Sequence, residues 1–343
     1  MGFGKKRGAR RRSRPGIEAL EGRAVPATFH AANVAQLQAD LAAVSNTSGP
    51  NTIDLASGTY DLTGELQVQD AGDLTIQGNP KDPAAISLVG GYPFRVLEID
   101  GGHVTISGVT ISGGGDVEQG GGIEAQDADL TVEKSTITGN WAMQMGGGIF
   151  AQGGTLDVED SSVSGNSAQG GADCLGGGIA ASGAQVTVAN STIMNNYAFN
   201  GDVGSQAAFD TGGGIYAQHG TLVIAGSKIK GNTAFSTTSG TSATSLGGGV
   251  STSDTIVSIA RSAVTNNNLE SIANPPGTSQ GSAFSTIGGS LAITDCTFSG
   301  NGPEGKGEFY HPGVTVVLKG STVDGRKLLG EVTLDDNGST SGR

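Results

Sequence analysis

Five carboxylates are gathered in a short stretch of this 343-residue chain: Glu98, Asp100, Asp116, Glu118 and Glu124. Paired carboxylates do general acid and base work when one of them is held protonated, and two separated by about 5 Å suit retaining cleavage of a glycosidic bond. Glu98 and Glu124 are the candidates for that pair. The same group would suit Ca²⁺, a hard cation taking six to eight oxygens, with Asp100, Asp116 and Glu118 as donors. A third reading is a solvated acidic rim, since neither an oxyanion donor nor a base pattern accompanies the five. His30, His103, His219 and His311 are scattered without a metal-ligand spacing, and no Ser-His-Asp or Cys-His order emerges. Between residues 115 and 301 the cations are Lys134, Lys228, Lys230 and Arg261, so a polyanionic substrate would meet a like-charged surface.

What must position these groups is a repeat. GGGIEAQDADLTVEKSTITGN at 120–140 recurs at 146–166, 176–196, 212–232 and 247–267, with weaker copies at 94–114, 281–301 and 306–326. The blocks keep 21 residues while the stretches between them hold 5, 5, 9, 15, 14, 13 and 4. A constant core with insertions at one point describes the turns of a solenoid. Counting the first residue as zero, position 3 is Leu97, Ile123, Ile149, Ile179, Ile215, Val250, Phe284 and Phe309. Positions 10, 12 and 17 are apolar too, and 10 and 12 alternate with polar neighbours at the period of a half-buried strand.

Three short strands per turn, each stacked on its equivalent in the next, define the expected fold: all-β, a single-stranded right-handed parallel β-helix of about nine turns. Glu98 and Glu124 share position 4 and are expected one strand spacing apart, about 4.8 Å. Position 15 is Ser135, Ser161, Ser191, Ser227, Ser262, Cys296 and Ser321, a small column. Position 20 is Asn140, Asn166, Asn196, Asn232, Asn267 and Asn301, which predicts a stacked amide ladder at a tight turn. Cys174 and Cys296 fall about three turns apart, roughly 14 Å, too far for a disulfide.

The pattern predicts four segments. Residues 1–26 form a basic leader, expected to be disordered, with eight Lys and Arg against two Glu. Residues 27–51 cap the tube with a short helix, Asn33 as its N-cap and Val34, Leu37, Leu41 and Val44 on one face. Residues 52–334 are the β-helix, and 335–343 a disordered tail. No apolar run of signal-peptide or membrane-span length follows the leader. From residue 24 onward the net charge is −19, which excludes a nucleic-acid role for the main body.

The stretches 52–79 and 95–114 resemble the opening of pectate-lyase-like β-helix domains of secreted and surface bacterial proteins. Pairing of GGGI with STITGN or CTFSGN is similar to the GGAI and FxxN repeats of chlamydial polymorphic outer membrane proteins. Leu20-Glu21-Gly22-Arg23 with Val25-Pro26 resembles the LEPR-XLL leader of planctomycete surface proteins. The resemblance covers roughly residues 52–326 and implies an extracellular or cell-surface location. Lyases of that fold pair carboxylate-bound calcium with an Arg base, and polygalacturonases need clustered Asp beside Arg and Lys; neither set is evident here.

The insertion side remains. Trp141, Tyr197, Phe199, Phe209 and Phe235 come from insertions, Phe150 and Tyr216 project outward from the adjoining strand, and Gln126, Gln152 and Gln218 supply polar groups. Aromatics concentrated on one side form a sugar-stacking or protein-docking surface, or pin the insertions to the tube. The expected function is therefore non-catalytic: adhesive, structural or glycan-binding, with a polysaccharide or envelope protein as partner and no cofactor other than Ca²⁺. The alternative is a polysaccharide lyase or glycoside hydrolase.

Overall fold

The computed structural model describes Met1 and residues 26–45, 49–171, 173–200, 207–239, 242–272, 277–302, 308–327, 331–334 and 340–341. Apart from Met1 and Pro26, the expected leader lies outside the described residues.

Alternation in each block produces three strands whose inward residues stack turn upon turn. Face I, from position 3, runs through nine parallel strands from Leu66–Gln69 to Phe309–Tyr310. Ile123, Ile149 and Ile179 are register partners there, and all three are buried. Face II stacks Leu130 on Leu156 and Val186, and face III stacks Ile137 on Val163 and Ile193. Each turn thus delivers at least four apolar side chains to one continuous core. The fold is a single-stranded parallel β-helix, as the block pattern predicts.

Two polar ladders fix the corners. The hydroxyl of Ser191 accepts from the Ser161 N–H at 3.0 Å and donates to the Ala189 carbonyl at 2.8 Å, and neighbouring turns repeat this. At the next corner Asn196 Nδ2 donates to the Val163 carbonyl at 2.9 Å and to Asn232 Oδ1 at 3.0 Å. Its Oδ1 accepts from the backbone N–H and the amide of Asn166. Six asparagines from Asn140 to Asn301 continue the column, which ends on Glu308 Oε2 at 2.7 Å. Burial pushes the Glu308 carboxyl up to about 7.

Both ends are closed. The helix Val34–Val44 is capped by Asn33, whose Oδ1 accepts from the Gln36 N–H at 3.0 Å, while Gln36 Oε1 accepts from the Ala32 N–H at 2.8 Å. Leu37, Leu41 and Val44 are buried in the tube core and Val34 packs at its margin, so the helix covers the open end. Stacking begins earlier than residue 52: Ala27–Ala31 pairs in parallel with Asn51–Leu55 and opens face II. Only Ala31 of that strand is fully buried, too weak an alternation to read. At the far end the chain reverses rather than completing a turn. Glu331–Leu334 pairs antiparallel with Val316–Lys319, and Arg326–Lys327 with Thr322–Val323. Thr340–Ser341, inside the expected disordered tail, adds to Thr333 and Leu334; residues 335–339 lie outside the described residues.

Ile149→Asp buries a carboxylate with no partner and is expected to cost several kcal/mol, preventing accumulation of folded protein; an unchanged melting temperature would show the core register to be wrong. Asn196→Ala leaves the Asn166 N–H without its acceptor and breaks the amide column, an expected loss of about 2 kcal/mol. Ser191→Ala should cost only about 1 kcal/mol. Chemical denaturation of the two variants side by side checks the order.

Candidate functional site

Between faces III and I the insertions form ordered strands, and these stack into a fourth sheet, a flap running beside the tube. Outgoing strands are Trp141–Met145, Ser167–Gln169, Tyr197–Phe199, Thr233–Thr237 and Asn268–Ile272. Returning strands are Asp173–Leu175, Ala208–Thr211, Ala243–Leu246 and Thr278–Gln280, with Val117–Gln119 pairing to Trp141–Met145. The glycine triplet makes this geometry possible. A Cβ on Gly147 would lie 2.1 Å from the Ser167 carbonyl oxygen, and one on Gly248 would lie 2.1 Å from that of Asn268. The second glycine of each triplet is therefore where the returning chain crosses the outgoing one.

Inside the flap, Ala168, Ala198, Ala234 and Leu269 form a buried column on the outgoing strands. Facing it, Cys174, Asp210, Ser245 and Ser279 form a column on the returning strands. Asp210 is fully buried, and burial pushes its carboxyl up to about 7. Burial also raises the Cys174 thiol well above its ordinary range, making it a poor nucleophile; Cys174 and Cys296 are both free and buried. The sequence reading missed the Asp210 column because it treated insertions as loops. Aligning them on the glycine triplet, rather than on the preceding asparagine, would have lined these four residues up.

The aromatic residues divide into three groups. Tyr197, Phe199 and Phe235 are half-buried on the outer surface of the outgoing strands; Phe199 and Phe235 stack at 5.3 Å and 13°, and Tyr197 lies 5.5 Å from Phe199. Stacked rings cover each other's faces, so this ladder offers mostly ring edges to solvent. Trp141 stacks instead on Tyr92 at 6.0 Å, and Tyr92 is 71% exposed. The Asp116 carboxylate hydrogen-bonds that tyrosine and raises its phenol. Phe150 and Tyr216 do not form an outward surface: both are buried and pack with Ala180 beneath Met145 and Leu175. The residues that cover them immediately precede the glycine triplets, where the flap folds back on face I. Tyr216 donates to Gln218 Oε1 at 3.0 Å, and Gln218 Nε2 donates to Ser182 at 3.1 Å. Gln126, Gln152, Ser182 and Gln218 are register partners in one column, with Gln152 exposed; Phe209, on a returning strand, is half-buried.

Toward the helical end the same outward surface becomes acidic. Glu98 and Glu124 are register partners, and Arg95 lies against both. Its guanidinium reaches Glu124 at 2.5 Å, Glu98 at 3.4 Å and Glu65 at 3.5 Å. Gln126 donates to the other Glu124 oxygen at 2.8 Å, and Gln67 donates to Glu98 at 3.3 Å. Burial, then the neighbouring Glu65, raises the Glu98 carboxyl. Neither Arg95 nor Glu65 stood out in the sequence, though Arg95 occupies the block position filled by the crossing glycine in the turns that follow. Asp100 and Glu118 are exposed and Asp116 is engaged by Tyr92; among the described residues no three His, Cys, Asp or Glu side chains converge as metal ligands. A cavity of about 470 Å³ adjoins this end, between the cap helix and face I, with Gln38, Leu41, Glu65 and Gln67 in its wall.

No curated protein matches this chain. Residues 95–255 match the family described as right-handed beta helix region. Among solved structures, PfbA, a surface adhesin of Streptococcus pneumoniae, aligns over 90% of this chain and 95% of its own at 10% identity, with a TM-score of 0.36. The fold is that of a right-handed parallel β-helix, with face I, the flap and their shared acidic end as its distinguishing surface.

Proposed function

We propose that this is a non-catalytic binding protein of the cell surface or extracellular space, using the flap and the adjoining part of face I to hold a polysaccharide or an envelope protein. The observation that supports it best is the flap itself. Closing a turn needs only a short glycine link, yet four consecutive turns extend into paired strands that stack in register. The Tyr92–Trp141 pair, with Tyr92 exposed, Trp141 half-buried and Asp116 hydrogen-bonded to the tyrosine, supplies aromatic faces and a polar group of the kind that bind sugars. The surface is acidic, and its one central cation, Arg95, is consumed by three glutamates, so the favoured ligand is uncharged or basic.

In this reading residues 1–26 act as an export or envelope-retention leader of the LEPR-XLL type, and the GGGI and STITGN repeats resemble polymorphic outer membrane proteins because both need the same corner. The helix Val34–Val44 caps the tube, whose parallel stacking runs from Ala27–Ala31 to Thr322–Val323.

A glycan array and immobilised envelope extract provide the test. Tyr92→Ala and Trp141→Ala should each weaken binding about tenfold while leaving the melting temperature within about 2 °C, since ring stacking at an open site contributes about 1–1.5 kcal/mol. Binding undiminished in the double variant would remove the pair from the site.

Hydrolysis is the second reading, favoured by the raised Glu98 carboxyl one turn from an arginine-paired Glu124. It requires reducing ends to appear from a neutral polysaccharide, and their release to be abolished by Glu98→Gln. A lyase would instead give unsaturated, ultraviolet-absorbing ends.

A further inference from the structure

Within the flap, the hydroxyl of Ser236 has three polar neighbours. It accepts from the Asp210 N–H at 3.1 Å and lies 2.7 Å from Asp210 Oδ2 and 2.6 Å from the Thr244 carbonyl oxygen. A serine hydroxyl has one proton, and the last two neighbours are both acceptors if Asp210 is ionised. Serines of the tube, such as Ser191, share one proton between two carbonyls at 2.8 and 3.1 Å; at Ser236 both contacts are shorter, and both are full hydrogen bonds when the carboxyl brings its own proton. The chain then runs from Asp210 Oδ2–H to Ser236 Oγ and from Ser236 Oγ–H to the Thr244 carbonyl. The other carboxyl oxygen accepts from the Cys174 N–H at 3.2 Å.

We infer that Asp210 is a protonated clasp, which joins the outgoing and returning layers of the flap and releases them when it ionises. Its position suits this role: it touches Cys174 on the strand before, and Ser236 on the outgoing strand after. The Ser236 N–H donates in turn to Ser245 on the next returning strand at 3.0 Å, and Ser245 donates to the Glu270 carbonyl. One carboxyl thereby ties three successive turns across the two layers.

The surroundings offer the ionised form little. From the preceding strand Cys174 faces Asp210 with a thiol that burial keeps protonated, and the flanking outgoing and returning strands present Ser236 and Ser245. Burial, then the Glu270 and Asp210 charges, raises the phenol of Tyr197 on the neighbouring outgoing strand. Among the described residues no Lys, Arg or His appears in the groups that act on Asp210. The Ser236 hydroxyl, the Asn200 N–H, and the Cys174 thiol and N–H favour the anion, yet burial outweighs them.

The sign follows. The folded carboxyl titrates near 7 against an ordinary 3.8, so the flap has its full stability below the ordinary value and loses it as pH rises to about 7. Opening becomes progressively easier over that window, up to about tenfold per pH unit. Whether release exposes or abolishes a ligand surface rests on the proposed function; the clasp itself does not.

Hydrogen exchange on the full chain between about pH 5 and pH 8, corrected for the intrinsic rate, is the test. Segments covering Asp173–Leu175, Ala208–Thr211 and Thr233–Thr237 should lose protection as pH rises, while tube strands such as Thr155–Glu159 hold theirs. Asp210→Asn, whose amide can donate to Ser236 and accept from Cys174 as the protonated acid does, should abolish the dependence. In a Glu308→Gln background, which removes the other carboxyl pushed up to about 7, a protonated-carboxyl infrared band disappearing with a midpoint near 7 should be present with Asp210 and missing from Asp210→Asn, a reading independent of how well the variant folds. Flap protection independent of pH in the parent, or an equal decline in Asp210→Asn, would overturn the clasp. Because no ligand enters the measurement, failure of the clasp and failure of glycan or protein binding remain separate results.

Discussion

Five successive turns of this molecule pass through one crowded corner, where a buried asparagine amide meets a glycine triplet. The amide must satisfy a core carbonyl from the turn before and the asparagine of the turn after, which leaves no room beside it for a side chain. A Cβ on Gly178 would lie 2.8 Å from Asn196 Nδ2, and one on Gly148 would lie 3.0 Å from that of Asn166. Without the glycines the two layers of the flap could not cross, and without the asparagines the corner would hold unpaired backbone groups. These five triplets hold 15 of the chain's 60 glycines, and that share follows from the corner.

The same corner decides where variation is permitted. Inside a block, a changed residue count would shift the side-chain period and turn core residues outward. Between the asparagine and the glycines the chain is already leaving the tube, so it can lengthen freely if it returns to the same place. Parallel stacking then imposes its own rule on the longer insertions. Each outgoing strand pairs with the one a turn earlier, and the flap inherits a register from the tube without a repeat of its own.

That inheritance explains what could and could not be read in advance. Ile123, Ile149 and Ile179, the serine and asparagine columns and the helix behind Asn33 were all legible, because each is set by spacing within a block or by a local cap. Burial of Phe150 and Tyr216 was not, since on their own strand they point outward and their cover comes from Met145 and Leu175 on the flap. Arg95 was hidden for a related reason. Its partners Glu65 and Glu124 are brought to it by stacking, one in the turn before and one in the turn after.

Burial separates the two acidic centres more sharply than residue type does. Glu124 is nearly as buried as Asp210, but Arg95 beside it supplies a countercharge. Among the described residues Asp210 has hydroxyl, thiol and amide neighbours, and two contacts as short as those of Ser236 are better served by a second proton. The first arrangement ties neighbouring turns of the tube through opposite charges. The second makes the cohesion of the flap depend on one proton, and places that dependence in the structure the tube supports rather than in the tube itself.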